Sequence, residues 1–81
     1  MDVLILNDGT ILENSRAVVD LDNLFLYIGN GLDIVQLAGL LPGKVDPITY
    51  KYGDEEKVFA GFTRITGMNL GVNCVSVVLR P

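Results

Sequence analysis

The chain predicts an α+β domain, a mainly antiparallel sheet of about six strands with one short helix packed on a face. Three observations predict it. Short apolar runs of strand length are cut by Asp-Gly and Gly-rich turns, and one stretch alone carries helical spacing. No linker, low-complexity stretch or repeat divides the 81 residues, so 1–81 is read as a single domain.

Val3-Leu4-Ile5-Leu6 is an apolar run closed by Asn7-Asp8-Gly9-Thr10, whose Asp-Gly supplies the positive φ of a tight hairpin turn, and Ile11-Leu12-Glu13-Asn14 starts the return strand. The return continues through Ser15 and Arg16 to Ala17-Val18-Val19. Asp20-Leu21-Asp22-Asn23 then reverses the chain with side chains that bond their own backbone. Leu24-Phe25-Leu26-Tyr27-Ile28 is apolar at every position, which predicts a central strand covered on both faces, or by the domain on one and a partner on the other.

Gly29-Asn30-Gly31 ends that strand. Ile34, Leu37, Ala38 and Leu41 fall at i, i+3, i+4 and i+7, one stripe of a short helix with Asp33 at its start and Pro42-Gly43 at its stop. Val35 and Leu40 lie off the stripe, so the helix is read as a lid that also faces something beyond the sheet. Ile48-Thr49-Tyr50-Lys51-Tyr52 alternates, turns at Gly53-Asp54-Glu55-Glu56, and returns as one strand from Lys57 to Ile65 with a bulge signalled by Gly61. Gly67-Met68-Asn69-Leu70-Gly71 reads as a turn before a last, β-branched strand from Val72 to Leu79.

The chemistry is sparse. There is no histidine, the one cysteine is Cys74 among valines, and the ten carboxylates are scattered. Gly29-Asn30-Gly31 begins like a dinucleotide fingerprint, but Ile34 stands where the last glycine belongs. Asp20-Leu21-Asp22-Asn23 matches a calcium loop only in its first and third positions, and Asp54-Glu55-Glu56 reads as a solvated turn. Ser15 and Ser76 have no histidine to act as base. The residues therefore predict no catalytic site, no metal and no cofactor, and a protein that is not an enzyme.

The net charge of −4 and six dispersed basic residues argue against nucleic acid. Leu32 to Leu41 falls short of the roughly 20 apolar residues that span a bilayer, which argues against membrane insertion. The first residues lack the basic and apolar regions of a signal peptide, and the unpaired cysteine suits a reducing compartment. A cytoplasmic protein of a bacterial host, or a virion-associated one, is expected.

An apolar fraction of 49% is high for so small a body, which predicts protein partners, as a homo-oligomer or within a larger assembly. The expected interface comprises Leu24, Leu26 and Ile28 on the apolar strand, Val35 and Leu40 on the helix, and Val75 and Val77 on the last strand. The alternative is a small regulatory or ligand-binding module with a cavity between helix and sheet.

The opening Leu4-Ile5-Leu6-Asn7-Asp8-Gly9-Thr10, the mid-chain helix, Ile48-Thr49-Tyr50-Lys51-Tyr52, and Phe59-Ala60-Gly61-Phe62-Thr63 before a Val-rich strand together resemble small β-rich proteins of prophage head and tail gene clusters in gut Firmicutes. The resemblance implies a virion-associated structural or accessory component and carries over no catalytic residue.

Overall fold

The computed structural model describes residues 2–29, 46–71 and 74–81. They form eight strands: β1 (Val3–Ile5), β2 (Ile11–Glu13), β3 (Ser15–Asp20), β4 (Asn23–Gly29), β5 (Ile48–Tyr52), β6 (Glu55–Phe59), β7 (Arg64–Leu70) and β8 (Cys74–Arg80). Two four-stranded sheets result, in the orders β2-β1-β5-β6 and β3-β4-β8-β7, with every pair antiparallel. The α+β expectation of one sheet with a helix is therefore corrected to an all-β, two-sheet architecture. The helical stripe Ile34 to Leu41 lies outside the described residues, and among those described there is no helix.

Alternation builds the core. In β4 the inward residues Leu24, Leu26 and Ile28 are buried while Phe25 and Tyr27 are half-buried on the outer face. Val75, Val77 and Leu79 do the same in β8. These six meet Leu4, Leu12 and Ile48 of the facing sheet, Leu6 just after β1, and Ala17, in one cluster bordered by Tyr50, Phe59, Phe62 and Met68. Two antiparallel sheets that share a single apolar layer make a β-sandwich.

The chain changes sheet at two places the apolar pattern conceals. β2 runs into β3 through Asn14 alone, in the left-handed region at φ 52. Both sides hold this corner: the Ser15 amide donates to the Asp2 carbonyl at 3.1 Å, and the Gly29 amide donates to the Asn14 carbonyl at 3.2 Å. The second change falls at Gly61, at φ 89, whose amide donates to Asp46 Oδ1 at 2.6 Å. The single strand expected from Lys57 to Ile65 is thus two strands in different sheets. The irregularity expected at Gly61 lies instead in the β7–β8 ladder, between Ile65 and Gly67, and the expected turn Gly67 to Leu70 is part of β7.

The tight turns are where the residues announce them. Gly9, at φ 89, donates its amide to the Leu6 carbonyl at 3.0 Å, and Asp8 Oδ1 accepts the Thr10 amide at 3.0 Å. Between β3 and β4 the loop is only Leu21-Asp22, with Asp20 paired to Asn23. Leu21 is in the left-handed region at φ 55 and is 89% exposed.

Candidate functional site

The expected contact strands lie in the interior of the molecule. β4 is flanked by β3 and β8, and β8 by β4 and β7, so both edges of each are already paired. The side chains of Leu24, Leu26, Ile28, Val75 and Val77 point into the shared core, where each is buried. Val35 and Leu40 lie outside the described residues.

The large apolar side chains that do reach solvent share a different location. Among the described residues they are Ile11 on β2, Val18 and Val19 on β3, Val58 on β6, Ile65 on β7, and Leu21 in the β3–β4 turn. Those strands are the four outermost of the two sheets as described. In the first sheet Ile11, Ile5, Thr49 and Val58 are successive cross-strand partners, a β-branched row across its outer face whose two ends are 60% and 62% exposed. In the second, Val18, Phe25, Val78 and Gly67 form the corresponding row. Hydrophobic cross-strand rows stabilise a sheet and also present continuous surface to a neighbour.

The polar features cluster at one end of the second sheet. A depression of about 500 Å³ is lined by Asp2, Asn14, Ser15, Arg16, Tyr27, Gly29 and Cys74. The Arg16 guanidinium lies over the Tyr27 ring, 4.8 Å from its centroid. Ser15 Oγ donates to the Glu13 carbonyl at 2.9 Å, so this hydroxyl is held by backbone and not by a base. A second depression of about 380 Å³ lies over Gly67 on the same outer face, between Phe25, Met68 and Val78. Both are on the outside of a sheet, whereas the apolar cluster of the described residues lies between the sheets. Among the described residues no group of three or more potential metal ligands comes together.

Tyr50 donates its hydroxyl proton to Asp2 Oδ2 at 2.7 Å, across 48 positions of sequence, and its ring stacks on Tyr52 at 4.7 Å between centroids. Partial burial, then the hydrogen bond to Asp2 and the charge of that carboxylate, push the Tyr50 hydroxyl up to about 12, with Arg16 pulling the other way. Because the folded value lies above the ordinary 10.0, the contribution to stability is complete below that pH and is lost as pH rises through about 12. Tyr50→Phe is expected to cost about 1 kcal/mol at neutral pH. It is also expected to flatten the alkaline loss of stability, measured as urea midpoints of both proteins from about pH 9 upward. Equal slopes in the two proteins would contradict the Asp2 contact.

The chain matches no protein-family model, no curated protein and no solved structure. Sequence reasoning did not single out Val18 and Val19 as exposed apolar residues of an outermost strand. The available signal was the pair of adjacent valines, which in a strand cannot both face one core.

Proposed function

We propose that this protein is a non-enzymatic structural subunit that works by contact with other protein chains, and that its contact surfaces lie on the outermost strands. One observation carries the reading: the exposed large apolar side chains among the described residues sit on β2, β3, β6 and β7 or in the β3–β4 turn. Outermost strands are where proteins ordinarily place charge, because unpaired strand edges recruit other strands. Apolar side chains there favour association. The resemblance to prophage head and tail accessory proteins points to the same kind of role, as one component of a virion assembly.

The test is sedimentation of the protein in an extract of its own host, for the natural chain and for an Ile11→Lys, Leu21→Lys, Val58→Lys variant. The three side chains are 60%, 89% and 62% exposed, so each replacement is expected to change stability by about 0.5 kcal/mol or less. The natural chain is expected in a species much larger than its own 8.8 kDa, and the variant to be released from it. A natural chain that sediments as a single copy would overturn the proposed role, and a variant that stays assembled would remove those three side chains from it.

A further inference from the structure

Among the described residues, the four outermost strands differ in what they offer another strand. β2 has three residues, and β7 is interrupted between Ile65 and Gly67. β6 carries Glu55, Glu56 and Lys57, and pairing it with its own copy about its central residue sets Lys57 against Lys57. Short length, irregularity and like charge each discourage edge pairing. β3 has six residues and none of these defects.

Its usable length is set by its two ends. Asp20 and Asn23 flank a two-residue loop and so form a hydrogen-bonded pair. Bonding alternates from there, so Val18 and Arg16 also bond β4, while the backbone groups of Ala17 and Val19 point away from it. At the other end the Asp2 carbonyl takes the Ser15 amide and closes the edge. The stretch from Arg16 to Asp20 remains, and its centre is Val18.

Resting on the contact reading above, we infer that β3 pairs antiparallel with β3 of a second copy of this chain about a two-fold axis at Val18. Val18 then faces Val18, Ala17 faces Val19, and Arg16 faces Asp20 in both directions. The hydrogen-bonding pairs fall on Ala17 and Val19, whose groups point outward. The other pairs are of the non-bonded kind, in which side chains approach most closely. The charge match is independent of the register, which the turn and the Asp2 contact alone fix. Arg16, Val18 and Asp20 share the outer face and all are exposed. Ala17 turns its side chain into the core and is 5% exposed, whereas Val19 is 42% exposed and is the more open of the two bonding positions. The sheet β3-β4-β8-β7 would continue into its copy as eight strands, covering both Val18 side chains.

The experiment is sedimentation of the purified full chain over a concentration series, for the natural protein, Arg16→Asp, Asp20→Arg and the double exchange, with thermal melting to confirm folding. The natural chain is expected to show a reversible monomer–dimer equilibrium. Each single exchange opposes like charges twice across the axis and is expected to weaken the dimer by about tenfold or more, and the double exchange to restore it to within a few-fold. Should a single exchange fail to fold, Asp20→Asn is the deciding variant, expected to weaken the dimer by about threefold or more. A natural chain that stays monomeric at every concentration overturns the inference, and so does a dimer indifferent to these exchanges. A purified monomer that is nevertheless assembled in the host extract would sink this pairing and leave the contact role standing. A single copy in both settings would sink both.

Discussion

Leu26→Ala is expected to lower the unfolding free energy by about 3 to 4 kcal/mol, the largest effect of any single change considered for this chain. Leu26 is fully buried at the centre of β4, with Ala17 beside it on one strand and Val77 on the other. The small methyl of Ala17 has little reach with which to fill the vacated volume, so collapse around the cavity is limited. An 81-residue domain is stable by roughly 4 to 12 kcal/mol, so about a quarter or more is lost. Leu21→Ala removes the same atoms from a side chain 89% exposed and is expected to change stability by about 0.5 kcal/mol or less. Urea midpoints of the two variants measure the contrast. Were Leu26 a partner-facing residue, its alanine variant would keep its stability and lose association.

Gly29→Ala is expected to cost about 2 to 3 kcal/mol, although it adds one methyl group. A Cβ at Gly29 stands 2.6 Å from the Asn14 carbonyl oxygen, a backbone atom, so no side-chain rotation relieves the overlap. The same carbonyl accepts the Gly29 amide, and Gly29 is paired to Cys74 on its other side, so the strand cannot swing away without breaking the ladder. Gly67→Ala is the control. Its Cβ would meet Val78 at 3.7 Å, ordinary contact, and the variant is expected to fall within about 0.5 kcal/mol of the natural protein. Similar losses at the two glycines would contradict the close approach at the Asn14 corner.

What the residues announced and what they concealed divide along physical lines. Asp8-Gly9 named its own turn because positive φ at glycine is a local requirement. Leu24 to Ile28 named a strand, but uniform apolarity does not say which side is core, and the structure has one face buried and the other half-covered. The two-sheet arrangement was hidden because its corner is Asn14, flanked by Glu13 and Ser15 with no proline or glycine to mark a break. Gly61 suggested a bulge where the chain in fact leaves one sheet for the other. The β4 and β8 residues of the expected contact surface are core residues for a related reason. The most apolar strands are the ones a fold puts inside, and the excess emerges on outermost strands, whose position depends on strand order and not on local pattern. The Tyr50–Asp2 contact, 48 residues apart, has no local signal at all.

Residue-resolved amide exchange on dilute, monomeric protein tests most directly whether β4 and β8 are interior and β3 is outermost. Every consecutive amide from Leu24 to Ile28 and from Val75 to Leu79 is expected to exchange slowly, because neighbours on both sides accept them. In β3 the Val18 amide, bonded to β4, is expected to be slow and that of Val19 fast. Alternating slow and fast amides within β4, or a slow Val19 amide in the monomer, would contradict the account.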